Sequence, residues 1–126
     1  MTEPLLSTEI DVQALFEQCG EDPELFAEIV GMFRDGWKES YEKIVAAGAS
    51  GVPVAVVHAA HYLKGTARSL YAPRVQAITA VMEVSARGGD IGPAVSELPA
   101  LLAALESLDQ VLSQPLPVLL GTKPTA

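Results

Sequence analysis

The stretch from Asp22 to Gly48 constrains the fold most. Phe26, Ile29, Val30, Phe33, Trp37, Tyr41, Ile44 and Val45 recur there at helical spacing along one broad apolar stripe. A start signal precedes it. Asp22 can cap the helix, Pro23 loses nothing at the first helical position by lacking an N–H, and Glu24 lies near the positive end of the dipole. At 1.5 Å per residue the helix is roughly 35–40 Å long. Gly31 and Gly36 weaken it locally, by about 1 kcal/mol each relative to alanine. Gly48-Ala49-Ser50-Gly51 is a connection short enough to send the next helix back antiparallel.

The remaining segments repeat this logic. Thr8 is placed as an N-cap with Asp11 three residues on, and a short helix follows to about Cys19, with Val12, Leu15, Phe16 and Cys19 in register and Gly20 as its stop. Val52-Pro53-Val54-Ala55-Val56-Val57 resembles a strand in isolation. It runs without a break into a helical period, which predicts a helix from Pro53 to about Tyr71, since Ala72 precedes Pro73. A helix from Pro73 to Arg87 turns Val75, Ile78 and Met82 inward, with Val81 and Val84 as further inward candidates. Asp90 then caps a final helix carrying Val95, Leu98, Leu101, Leu102, Leu105, Leu108 and Leu112, in which Pro99 calls for a kink or a restart capped by Ser96. From Pro115 to Ala126 the chain is interrupted by proline and has no period, so a mobile tail is expected.

The expected architecture is all-α: an antiparallel up-and-down four-helix bundle over about residues 22–113 with a short extra N-terminal helix, as one domain spanning 1–114 with a tail over 115–126. Composition agrees, because 49% of residues are hydrophobic but only 6% aromatic, which leaves Ala, Val and Leu to build the core. A net charge of −8 with 8 Lys and Arg argues against a nucleic-acid surface. One cysteine, Cys19, allows no internal disulfide and no multi-cysteine metal site. No apolar run approaches the roughly 20 residues that span a bilayer, so a soluble, cytoplasmic protein is expected. A free-standing protein and a fragment of a larger receptor fit equally well. No second apolar stripe asks for a partner copy, so a monomer is expected.

Within the helix beginning at Pro53, His61, Lys64, Gly65 and Arg68 follow i, i+3, i+4, i+7 and share one face. Val56, Ala60, Leu63, Ala67 and Leu70 form the apolar stripe of the same helix, which leaves His61 outside the core beside positive charge. By periodicity alone a single histidine there is an ordinary surface residue. His58 and His61 stand three apart, but two ligands without a third rarely hold a metal, so no metal site is expected.

Ala60-His61-Tyr62-Leu63-Lys64-Gly65-Thr66 resembles the A-H-x-L-K-G-[ST] signature of histidine phosphotransfer (HPt) domains, the histidine-carrying relays of multistep two-component signalling. The order of helices resembles that family up to about residue 112. The resemblance implies that His61 is the phosphorylated residue, that Lys64 steadies the phosphoryl group, and that Gly65 leaves room for a partner. In related domains a Gln or Glu 22 positions after the histidine accepts a hydrogen bond from the ring's Nδ1, and Glu83 stands there. Arg68 is a second candidate cation. Two departures concern shape and charge. Tyr71 occupies a place where the family commonly has glycine, and Val57 and His58 stand where polar or basic residues are frequent.

The chemistry suits these residues. Imidazole, with a reference pKa of about 6.5, is a nucleophile near neutral pH that also releases a phosphoryl group readily. Glu83 would orient the ring rather than act as a base, and Lys64 with Arg68 would offset charge during transfer. No nucleotide-binding loop or carboxylate cluster for Mg²⁺ is present, so the expectation is a carrier without kinase activity and without a cofactor of its own. The resemblance implies that Mg²⁺ resides on a partner receiver domain, and that partners are response-regulator receiver domains and a hybrid sensor histidine kinase. Positions level across the turn near Ser50 bring Phe33 and Trp37 toward His61, so these join Tyr62 and Gly65 as candidate partner contacts, although both aromatics also fit the inward stripe. Two other functions compete: a non-catalytic helical adaptor that binds a signalling regulator, and the phosphorylated N-terminal domain of a chemotaxis-type kinase, with which a Glu at position 83 is compatible.

Overall fold

The computed structural model describes residues 9–121. They form helices α1 (Val12–Gln18), α2 (Pro23–Ser50), α3 (Pro53–Ser69), α4 (Pro73–Arg87), α5 (Gly92–Ser96), α6 (Leu98–Leu112) and α7 (Leu116–Leu119), with no strand among the described residues. The long helices α2, α3, α4 and α6 make the bundle, and the short ones close its ends.

α2 begins as its sequence dictates: the Asp22 carboxylate accepts the Glu24 N–H at 3.0 Å and Pro23 occupies the first turn. It runs past Gly48 to Ser50 and stops at Gly51, whose φ of 72° is left-handed. Gly48 serves packing instead, because a Cβ there would lie 3.3 Å from Val95 Cγ2 of α5. Phe26, Val30, Phe33, Trp37, Ile44 and Ala47 bury the stripe. They meet Val56, Val57, Ala60, Leu63 and Ala67 of α3, Val75, Met82 and Ala86 of α4, and Leu101, Ala104, Leu105 and Leu108 of α6 in one core.

Several boundaries differ from expectation. α1 is capped by Asp11, whose side chain accepts the Ala14 N–H at 3.1 Å; Thr8 lies outside the described residues. Val81 and Val84 are exposed, because Val75, Thr79, Met82 and Ala86 already fill the inward arc of α4. The chain restarts at α6 with Pro99 in the first turn, where its missing N–H costs nothing. Ser96 does not cap that restart, since its hydroxyl donates to the Pro93 carbonyl at 3.1 Å. Within the stretch from Pro115 where a tail is expected, Leu116–Leu119 form the short helix α7 with Leu119 buried, while residues 122–126 lie outside the described residues.

The corner between α3 and α4 positions the site. Tyr71 has φ of 57°, the Tyr71 N–H donates to the Arg68 carbonyl at 3.1 Å, and the Ala72 N–H donates to the Ala67 carbonyl at 2.9 Å. This is a Schellman turn with tyrosine at the left-handed position that glycine usually fills. The Tyr71 carbonyl accepts the Asp11 N–H at 2.8 Å, and its phenol donates to Gln18 Oε1 at 3.2 Å. Contacts to both ends of α1 hold the strained residue in place.

Candidate functional site

α3 and α4 lie side by side as a hairpin, so the polar edge of α3 meets one flank of α4. At that seam the His61 side chain is 63% exposed, while the Glu83 side chain is 4% exposed. A buried carboxylate is costly unless it is paired and hydrogen-bonded. Glu83 is held by three partners: Oε2 lies 2.9 Å from His61 Nδ1 and accepts from Arg87 Nη2 at 2.6 Å, and Oε1 makes an ion pair with Lys64 Nζ at 2.7 Å.

The electrostatics follow from this geometry. The Lys64 ammonium against Oε1, helped by the hydrogen bonds of Arg87 and His61, outweighs burial and lowers the Glu83 pKa to about 2. The carboxylate is therefore ionised at neutral pH and only accepts. Nδ1 of a neutral ring facing it must carry the proton, which leaves Nε2 as the unprotonated nitrogen. The site thus holds an exposed imidazole with one nitrogen tied down and the other free to act as a nucleophile.

A family model described as the Hpt domain matches residues 28–111. The chain belongs to the Hpt domain family. Members carry phosphoryl groups on histidine in phosphorelays and work with receiver domains and hybrid kinases. The Hpt match takes in all of α3 and α4, and with them His61, Lys64, Glu83 and Arg87. Among solved structures, the chain resembles the Hpt domain of a sensor hybrid histidine kinase from Shewanella, with a TM-score of 0.72 and 18% identity over 96% of this chain and 99% of that one. At that identity the likeness bears on the fold. Comparison with curated proteins gives no match.

The Hpt assignment does not sort the remaining candidates, and the geometry does. Arg68 lies about two turns beyond His61, roughly 10 Å along the axis, and stays outside the Glu83 cluster. It lines a separate groove with Met32, Phe33, Tyr62, Thr66 and Tyr71. Phe33 and Trp37 are core residues, buried among the packed helices, and only their edges reach the surface hollow beside Tyr62. Tyr62 is 67% exposed, and Gly65 has open space where a side chain would project. Met32, 74% exposed, flanks the same surface, although it lies off the α2 stripe and sequence reasoning passed it over. Arg87 enters the sequence reading only as the end of a helix. Its i+4 spacing from Glu83 on α4 is the signal that could have found it.

His58 shares a groove with Pro53, Val54, Val57, His61 and Arg87. No group of three or more His, Cys, Asp or Glu side chains that could hold a metal occurs among the described residues. Cys19 is buried, and burial followed by the charge of Asp22 pushes its thiol pKa up, away from reactivity. No described helix is long and apolar enough to cross a membrane.

Proposed function

We propose that this protein is a phosphorelay carrier that takes a phosphoryl group onto His61 from a receiver-domain aspartate and passes it to a response regulator. The observation that carries the reading is the pairing of His61 Nδ1 with the buried, ionised Glu83 while the ring stays open to solvent. In the transfer step the Nε2 lone pair attacks phosphorus. The bond from phosphorus to the aspartyl oxygen breaks, and the carboxylate leaves with its electron pair. The ring becomes a phosphoimidazolium whose Nδ1–H is already matched by the Glu83 carboxylate, so little rearrangement accompanies the new charge. The reverse step delivers the group to the next aspartate.

The carrier has no kinase activity and no cofactor of its own. The receiver domain brings its aspartate and Mg²⁺, and a hybrid sensor histidine kinase in the cytoplasm lies upstream. Tyr62, the gap over Gly65 and the exposed Met32 are the contact surface, and the carrier acts as a monomer. Incubation with a radiolabelled phosphoreceiver tests this. The expected product is an acid-labile, alkali-stable phosphoprotein, with no label on His61→Gln. Equal labelling of that variant overturns the assignment, and tight receiver binding without transfer in the parent favours an adaptor instead.

A further inference from the structure

Glu83 Oε2 serves two donors from opposite sides of the seam. His61 Nδ1 lies 2.9 Å away, and Arg87 supplies both Nη2 at 2.6 Å and Nε at 3.2 Å. A lone carboxylate so close to an imidazole stabilises the imidazolium, and a protonated ring has no nucleophilic lone pair. Here the carboxylate is shared with two cations, Lys64 on Oε1 and Arg87 on Oε2, so its charge is partly offset by partners other than the ring. Arg87 differs from Lys64 in two ways. It stands on α4 with Glu83, and it grips the oxygen that the ring uses. Its two N–H groups on one oxygen also fix the plane of the carboxylate that aims the ring.

We propose that Arg87 is a positioning residue that acts through Glu83 to keep His61 as the neutral Nδ1–H tautomer, with Nε2 available for attack at neutral pH. Its meaning for transfer rests on the carrier reading, but the effect on the ring does not. The other groups around His61 are accounted for. On α3, His58 lies one turn before it and Arg68 two turns beyond. On α2, Glu39 and Lys43 face the Tyr62 side of α3 and pair with each other at 3.6 Å. In the turn after α4, the Asp90 carboxylate accepts the Gly92 N–H at 3.0 Å.

Carbethoxylation by diethyl pyrocarbonate tests this without any phosphodonor, because the reagent acylates the unprotonated ring nitrogen. The Ile44–Lys64 tryptic peptide contains both histidines, and its fragment ions report His61 separately from His58. Arg87→Gln is expected to slow His61 modification roughly two- to threefold at pH 6 and to leave it unchanged at pH 8.5, the behaviour of a ring protonated more readily once a nearby cation is removed. Arg87→Lys should restore most of the rate at pH 6. An equal loss at both pH values, or no loss at pH 6, overturns the proposal. If the profile behaves as expected but a phosphoreceiver labels neither parent nor variant, the carrier reading fails and the role of Arg87 stands.

Discussion

Glu83 Oε2 lies 2.9 Å from His61 Nδ1 across the α3–α4 seam, with 22 residues and a left-handed turn between them. The pair divides labour by burial: the carboxylate is sequestered and ionised at neutral pH, while the ring it aims is open to a partner. Replacing Glu83 separates these roles from stability. Glu83→Met removes a buried charge, and taking one partner out of a buried ionic cluster is costly where the charges left behind stay buried. The partners left behind, Lys64 and Arg87, can turn to water. Urea unfolding should therefore move by about 1 kcal/mol or less, while the transfer rate falls roughly 10- to 100-fold, as when the outer partner of a functional histidine is lost. A fold that collapses along with transfer would count against this division.

The pH dependence of stability has a definite sign. Glu83 has a folded-state pKa of about 2, below its ordinary value of 4.5. The stability it contributes is fully present above pH 4.5 and is lost as pH falls toward 2. The size is on the order of 3 kcal/mol as an upper figure. Thermal unfolding of the parent should show a decline between pH 4.5 and 2 that is steeper than in Glu83→Gln, with the two curves parallel from pH 5 to 7. Curves that stay parallel down to pH 2 would remove Glu83 as the source.

How much of this was legible in the chain depends on how locally each feature is determined. The α2 stripe and the Asp22-Pro23 start are local signals, and the helix formed where they placed it. The His61–Glu83 pairing came from the spacing in related domains, and the α3–α4 hairpin brings the two side chains to 2.9 Å. Val81 and Val84 misled, because apolar residues score as core even where Thr79 and Ala86, less conspicuous in a pattern, occupy the inward arc. α7 is four residues long, too short to show a period, and only tertiary contact with Leu119 gives it a place. Arg87 was visible as a charge, but its task depends on Glu83 being buried, which a sequence pattern does not report.

Gly65 offers a prediction in which stability and function move in opposite directions. It sits inside α3 with open space around its missing Cβ, so Gly65→Gln meets no steric obstacle in the free protein. Filling an exposed helical glycine should stabilise the fold by about 0.5–1 kcal/mol. The same side chain would project one turn from His61, over the surface a receiver must approach. Transfer from a phosphoreceiver is expected to drop at least tenfold, while His61 modification by diethyl pyrocarbonate, a small reagent, stays near the parent rate. Loss of both readouts together would mean that the substitution disturbs the ring itself.

Tyr71 sets two opposing effects against each other at the corner that brings α4 back along α3. Its φ of 57° is costly for a residue with a Cβ, by about 1 kcal/mol or more, and glycine would relieve that cost. The side chain compensates by packing half-buried against the core and by donating its phenol to Gln18 Oε1 at 3.2 Å. A hydrogen bond of this kind is worth about 1 kcal/mol net and roughly cancels the relieved strain, so Tyr71→Gly should lose only the packing of the ring, on the order of 1 kcal/mol in urea unfolding. Tyr71→Ala loses the side-chain contacts but keeps the left-handed cost, and it should fall below the glycine variant by about 1 kcal/mol. That order distinguishes backbone strain from side-chain packing. If alanine and glycine destabilise equally, the phenol and its contact to α1 dominate this corner, and the left-handed backbone there carries no measurable cost.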